Sequence, residues 1–67
     1  MYTHILKGHE TIESFKLQGW IVDEEFHSYV DALAHDKELA AHKQPDERKR
    51  IIISDNERSR YYNAYRK

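Results

Sequence analysis

Residues 22–43, VDEEFHSYVDALAHDKELAAHK, are the stretch of sequence that decides the predicted fold. Their larger apolar side chains recur at the i, i+3 and i+4 spacing of one helical face. These side chains are Val22, Phe26, Tyr29, Val30, Leu33 and Ala40. At about 100° per residue they lie within an arc of about 100°, the width of a stripe that faces a core. The pattern predicts one amphipathic helix with Asp23 as its N-cap, ending at Lys43 ahead of Pro45.

The residues after this helix predict a break, a short strand and a second helix. The only proline lies in Gln44-Pro45-Asp46, which is the predicted break at 44–46. Ile51, Ile52 and Ile53 are consecutive β-branched residues, which fit a strand better than a helix. Ser54-Asp55-Asn56-Glu57 has the spacing of a capping box, so a helix is predicted over residues 55–66.

The N-terminal third allows two assignments. Residues 2–7 are predicted to form a strand that pairs with residues 50–53 in a two-stranded ribbon. Ile12 and Phe15 favour a short helix over residues 10–18, ended by Gly19 at C′. The alternation of Phe15, Leu17, Gly19 and Ile21 suits a strand equally well. The helix is the preferred assignment, and the strand remains open.

These elements predict a mainly α fold, a small single domain of two to three helices over residues 1–67 with the short ribbon added. With 67 residues the chain is one domain at most, and its stability should be a few kcal/mol or depend on self-association. It has no cysteine, no apolar run of the roughly 20 residues that cross a bilayer, and no basic-then-apolar leader. A cytoplasmic protein with no membrane partner is expected.

A polar stripe on the predicted helix suggests a metal site. His27, Asp31 and His35 follow one another at i, i+4 spacing, which brings side chains together on one side of a helix. Such a stripe can hold a divalent cation, as a His-x3-His pair holds zinc. The same residues on a solvated helix face would form only weak surface pairs, and this second interpretation is preferred.

No catalytic motif stands in the sequence. It has no Gly-rich phosphate loop, no GxSxG, no HExxH and no cysteine nucleophile. A chain of this size can hardly enclose a pocket of about 300 Å³ and still keep a core. The prediction is a protein that is not an enzyme, with no catalytic residues and no cofactor.

Charge is distributed unevenly along the chain. Residues 8–44 carry eight acids against three lysines, whereas residues 45–67 carry seven bases against four acids. Arginine neutralises phosphate and tyrosine stacks on unpaired bases, so the C-terminal segment could bind single-stranded nucleic acid. The candidate residues for that contact are Arg48, Arg50, Arg58, Arg60, Arg66 and Lys67. The pI of about 6.5 is low for a dedicated nucleic-acid-binding domain.

Aromatic side chains favour a protein-binding function. Eight aromatic residues among 67 exceed what a core of this size readily covers, and Trp and Tyr are common in binding hot spots. The candidate contact residues are Trp20, Tyr61, Tyr62 and Tyr65. The prediction is a small non-catalytic regulatory or accessory protein, of the kind many phages and plasmids encode. It would act by contact with another protein or with itself as a homodimer, and nucleic-acid binding is the alternative.

Overall fold

Four strands and two α-helices follow one another in a computed structural model that describes residues 2–67. The elements are β1 (Tyr2–Ile5), α1 (Ile12–Leu17), β2 (Ile21–Phe26), α2 (Tyr29–His42), a 3₁₀ turn (Glu47–Lys49), β3 (Arg50–Asp55) and β4 (Arg60–Tyr65). Strands account for 33% of the chain and helices for 35%, so the predicted mainly α fold is wrong. The protein is a small α/β domain.

The four strands form one mixed sheet in the order β1-β3-β4-β2. β1 pairs with β3 in parallel, and β4 pairs in antiparallel fashion with both β3 and β2. β1, β2 and β3 therefore run in one direction, and β1 and β2 are the two edges. The predicted pairing of residues 2–7 with 50–53 is present, as one side of a larger sheet rather than as an isolated ribbon.

The isoleucine triplet forms a strand that is buried on both faces. Ile51 and Ile53 belong to a cluster with Phe15 of α1 and Ala64 of β4. Ile52 points to the other face, where α2 covers the sheet, and is fully buried. The helices therefore lie on opposite faces, and the core has two layers separated by β3 and β4.

Residues 60–65 form a strand, so the predicted helix over 55–66 is wrong. The expected capping box does not form: the Ser54 hydroxyl donates to Asn56, and Asp55 accepts bonds from the backbone N–H and the guanidinium of Arg58 at the β3–β4 turn. Alternation then sends Tyr61 toward α2, where its ring contacts Tyr29, and Tyr62 toward the opposite face. Aromatic residues fit a pleated surface covered on both sides.

The preferred helix in the N-terminal third is confirmed. Thr11 is the N-cap of α1, and its side chain and that of Ser14 satisfy each other's backbone N–H in a capping box. The helix ends in a Schellman motif, in which the N–H of Trp20 bonds to the carbonyl of Phe15 and Gly19 adopts a φ of +97°.

The long predicted helix is correct at its C-terminal end and wrong at its start. Residues 21–26 form strand β2, and the N-cap of α2 is Ser28, not Asp23. α2 buries Ala32, Asp36 and Leu39 against the sheet, whereas Val30 of the predicted stripe is 70% exposed. Val22 and Phe26 follow the helical spacing by coincidence. In β2 their side chains lie on opposite faces of the sheet, Val22 on the α1 side and Phe26 on the α2 side.

The predicted break at 44–46 lies in the loop between α2 and the 3₁₀ turn. The guanidinium of Arg50 donates to the carbonyl oxygens of Gln44 and Pro45, with an N···O distance of 3.0 Å in each case. It also pairs with the carboxylate of Asp36. The loop is therefore fastened to the sheet through a buried cation.

Candidate functional site

The β1 edge is the least covered part of the sheet. α2 packs over β2, β3 and β4, and leaves the neighbouring side of β1 open. Tyr2 is 63% exposed and Ile5 is 46% exposed, while the hydroxyls of Thr3 and Tyr29 share a 2.9 Å hydrogen bond that connects β1 to the start of α2. We call these four residues, Tyr2, Thr3, Ile5 and Tyr29, the β1 edge surface. It carries no charged side chain.

Some backbone N–H and C=O groups of β1 also point away from the sheet. Leu6 donates its N–H to the carbonyl of Ser54 in β3. In a parallel ladder the direction of the backbone groups alternates, so His4 also turns its N–H and C=O toward β3. The N–H and C=O of Thr3 and Ile5 consequently point away from the sheet, ready to pair with another strand.

The opposite edge is protected against such pairing. β2 contains a bulge between Val22 and Glu24. Three consecutive acids, Asp23, Glu24 and Glu25, stand along it. Bulges and charged side chains are the devices by which natural sheets prevent edge-to-edge association. β1 has neither a bulge nor a charge, and is protected only by its short length.

The four residues predicted for protein contact are all half-buried, and each lies against a neighbouring side chain. Trp20 is half-buried, and the guanidinium carbon of Arg66 lies 4.8 Å from the centre of its ring. Tyr61 packs on Tyr29, and Tyr62 donates its hydroxyl to Glu25 over 2.8 Å. Burial and this hydrogen bond raise the pKa of Tyr62.

The fourth of these residues, Tyr65, lies at the end of β4. Tyr65 is half-buried and has the ammonium of Lys43 at 5.8 Å from its ring centre. None of Trp20, Tyr61, Tyr62 and Tyr65 offers the freely exposed face that was expected. Among residues 2–67 the exposed large apolar side chains instead come from β1, from Leu17, from Ile21 at the start of β2 and from the first turn of α2.

The basic residues predicted for nucleic-acid contact divide between two ends of the sheet. Arg48, Arg50, Arg66 and Lys67 lie where β3 begins and β4 ends, whereas Arg58 and Arg60 lie at the β3–β4 turn and the start of β4.

Most of these cations already have acidic partners. Arg48 pairs with Asp46, Arg58 with Asp55, and Arg60 with Glu25 at distances of 3.1, 3.1 and 3.9 Å. Arg48 and its hydrogen bonds lower the pKa of Asp46 to about 2. Arg50 is buried against Asp36. No continuous basic surface is built from this set of six.

The three predicted metal ligands do not converge. His27 precedes α2 and accepts a hydrogen bond from Arg60, and Asp31 is exposed in the first turn of the helix. His35 points instead to β2, where its Nε2 lies 2.6 Å from Oδ2 of Asp23. Only His35 of the three belongs to a cluster of polar side chains.

Asp23 is the centre of that cluster. Its other oxygen, Oδ1, accepts a hydrogen bond from the ammonium of Lys43 over 2.9 Å, and its side chain is only 16% exposed. Bonds from Lys43 and then from His35 lower the pKa of Asp23, and the carboxylate raises the pKa of Lys43. The cluster ties β2 to both the middle and the end of α2.

The stability of the protein should therefore depend on the ionisation of Asp23. Because its folded pKa lies below the ordinary 3.8, the contribution is fully present above that pH and is lost as pH falls through the folded pKa. Urea unfolding should show wild type more stable than Asp23→Asn at about pH 5, and the difference should shrink by about pH 2. An Asp31→Asn variant, changed at an exposed acid, is the control. An Asp23→Asn deficit of equal size at both pH values would contradict this assignment.

A shallow groove lies between the start of α1 and the β3–β4 turn. It comprises two adjoining hollows of about 200 and 270 Å³ that share Leu6, Glu10, Thr11, Asp55 and Arg58. Glu10 accepts hydrogen bonds from His4 and from the N–H of Lys7, which lower its pKa. Asp55 is held by Arg58. These two acids are thus engaged in holding the loop and the turn.

Sequence reasoning missed the β1 edge surface because an edge is a property of strand order. Tyr2 and Ile5 were assigned to a strand, but nothing local shows that this strand has a neighbour on one side only.

Among the helices of residues 2–67, none combines the length and apolar character needed to cross a bilayer. Comparison with protein-family models, with curated proteins and with solved structures found no match to this chain.

Proposed function

We propose that this chain is a non-catalytic protein that acts by protein–protein contact, and that the β1 edge surface is where contact occurs. The observation that carries the proposal is the outward direction of the Thr3 and Ile5 backbone groups beside exposed apolar side chains. An added strand would satisfy those groups and cover the side chains together, as in β-strand addition. The occupant that fits best is a second copy of the chain.

Self-pairing is geometrically complementary at this edge. If two β1 strands meet in antiparallel fashion about a two-fold axis at His4, Thr3 of one copy lies opposite Ile5 of the other. Both residues point outward, so each such pair exchanges both of its backbone hydrogen bonds. The two sheets then join into one, and a two-fold axis requires no other surface.

Charge favours the same arrangement. The chain has a net charge of −1, and the β1 edge surface is uncharged, so two copies meet there without repulsion. Two β2 edges would instead bring six carboxylates together, from Asp23, Glu24 and Glu25 of each copy. Like charges directly opposite one another destabilise strand pairing. A small domain also gains stability from association.

Sedimentation velocity over a range of protein concentrations tests the proposal. Wild type should form a dimer that dissociates on dilution, and Ile5→Lys should weaken it at least about tenfold, since it places a charge on each side of the two-fold axis, opposite Thr3 of the other copy. Leu17→Lys is the matched control, because Leu17 is 90% exposed on α1, away from β1. That variant should dimerise as wild type does.

A proline substitution separates the backbone contribution from the side chains. Thr3→Pro removes an N–H that points away from β3, so the monomer should keep its sheet while the dimer is lost. A wild-type chain that stays monomeric at millimolar concentration would overturn the assignment of a second copy. Equal dimerisation of wild type and Ile5→Lys would overturn the assignment of the surface.

A further inference from the structure

The bulge in β2 places two consecutive carboxylates on one side of the sheet. In a regular strand Asp23 and Glu24 would point to opposite faces. Val22 is paired with Ala64 and Glu24 with Asn63, which leaves Asp23 as the extra residue of the bulge. Asp23 bonds to side chains of α2, and Glu24 shares that face, since its partner Asn63 donates to the carbonyl of Ala32. Both acids thus face α2.

A histidine of a second element meets these carboxylates. One ligand atom from each of Asp23, Glu24 and His35 lies within 4.8 Å of the others. The His35 ring packs against Phe26, with ring centres 5.4 Å apart, and its side chain is 22% exposed. Glu24 is exposed, so the cluster opens to solvent on its side while Asp23 and His35 are largely withdrawn from water.

We propose that Asp23, Glu24 and His35 form a binding site for a divalent cation of the zinc type, which is independent of the β1 edge surface. Imidazole nitrogen favours Zn²⁺ or Co²⁺ over Mg²⁺ and Ca²⁺, which take oxygen ligands. Two carboxylates and one imidazole supply three ligands from two elements, and a water molecule completes a tetrahedral set.

The arrangement needs only small movements to reach ligand geometry. Ligand atoms about 2.0 Å from a tetrahedral ion are about 3.3 Å apart. Asp23 Oδ2 and His35 Nε2 are 2.6 Å apart and would separate by less than 1 Å as the ion replaces the proton between them. The Glu24 ligand atom lies within 4.8 Å of both, and its exposed side chain can adjust by a change of rotamer.

Lys43 is the cation that opposes an ion at this site. Its ammonium is 2.9 Å from Asp23 Oδ1, and its side chain is 47% exposed, so it can withdraw into water. The ammonium both occupies one oxygen and opposes a nearby cation. Removing it is expected to strengthen metal binding, whereas a cation held loosely by scattered surface acids would be nearly indifferent to this one lysine.

Isothermal titration of the untagged full chain with Zn²⁺ tests the proposal. Wild type should bind one equivalent, and Asp23→Asn and His35→Asn should each weaken binding at least about tenfold. Lys43→Met should tighten it. His42→Asn is the matched control, since His42 lies on the same helix, is 72% exposed and pairs with Glu38 in an i, i+4 contact. That control should bind as wild type does.

A second readout keeps the test decisive if a ligand variant unfolds. Co²⁺ bound with tetrahedral geometry gives visible absorption, which Lys43→Met should develop at lower Co²⁺ concentration than wild type. Zn²⁺ should also raise the melting temperature of both proteins. The proposal is overturned if wild type and Lys43→Met show neither binding heat nor a melting shift. It is equally overturned if His42→Asn abolishes the binding that His35→Asn leaves intact.

Discussion

Replacing Asp36 with alanine is expected to remove a large part of the folding free energy of this protein. Asp36 and Arg50 are both buried, at 7% and 8% exposure, and Nε of Arg50 donates to Oδ1 of Asp36 over 3.1 Å. Deleting one partner of a buried pair leaves the other charge uncompensated, which costs about 3–5 kcal/mol. A domain of this length has a total stability of about 3–10 kcal/mol. Urea unfolding followed by circular dichroism measures the loss.

Two further variants show that the loss belongs to the buried pair. Asp31→Ala makes the same substitution at an exposed position of the same helix and should cost at most about 1 kcal/mol. The double variant Asp36→Leu with Arg50→Met removes both charges, and it should be less destabilised than Asp36→Ala alone. Near wild-type stability of Asp36→Ala would show that α2 does not lie on the sheet as described.

Leu39→Ala is the second substitution with a large expected effect. Leu39 is 1% exposed where α2 meets the sheet, and removing a buried leucine side chain costs about 2–5 kcal/mol through lost burial and the cavity that remains. Leu17→Ala is the same change in α1 at a side chain that is 90% exposed. It should alter stability by no more than about 0.5 kcal/mol.

The comparison also tests the orientation of α2. Leu39 was absent from the apolar stripe predicted from sequence, whereas Val30, which belonged to it, is 70% exposed. If thermal unfolding showed Val30→Ala to be as damaging as Leu39→Ala, the predicted stripe would be the correct face of the helix and the orientation described above would be wrong.

The elements that were predicted correctly are those determined by residues close together in the sequence. The end of α2 ahead of Pro45, the helix over residues 12–17 and the strand at Ile51–Ile53 all followed from short-range chemistry. A residue before proline leaves the helical region, glycine adopts positive φ at a helix end, and β-branched side chains favour strands.

The wrong predictions concern two segments, residues 22–29 and 60–65, whose spacing of apolar residues fits both a helix and a strand. In these segments tertiary contacts determine the secondary structure. Val22, Phe26 and Tyr29 satisfy a helical spacing, but Phe26 packs on His35 and Tyr29 on Tyr61 only because β2 and α2 are separate elements joined at Ser28. In residues 60–65, RYYNAY, the tyrosines share a face in a helix and alternate in a strand. Residues 60–65 form a strand because both faces of the sheet are covered there and can take the alternating side chains.

The candidate sites were predictable only in part. His35 was singled out from sequence, but its partners are Asp23 and Glu24 across the bulge rather than residues one helical turn away. The β1 edge surface depends on strand order, because β3 lies between β1 and β4. Neither a bulge nor an edge strand has a reliable signature in a single sequence. These contacts could therefore be identified only from the three-dimensional structure.

Backbone hydrogen exchange within β1, followed by NMR at high and low protein concentration, tests the role of this edge most directly. The amides of His4 and Leu6 should be protected at both concentrations, because they face β3. Those of Thr3 and Ile5 should be protected only at the high concentration, when a second copy pairs with them. Exchange of the Thr3 and Ile5 amides at the rate of an unstructured chain under both conditions would contradict the account.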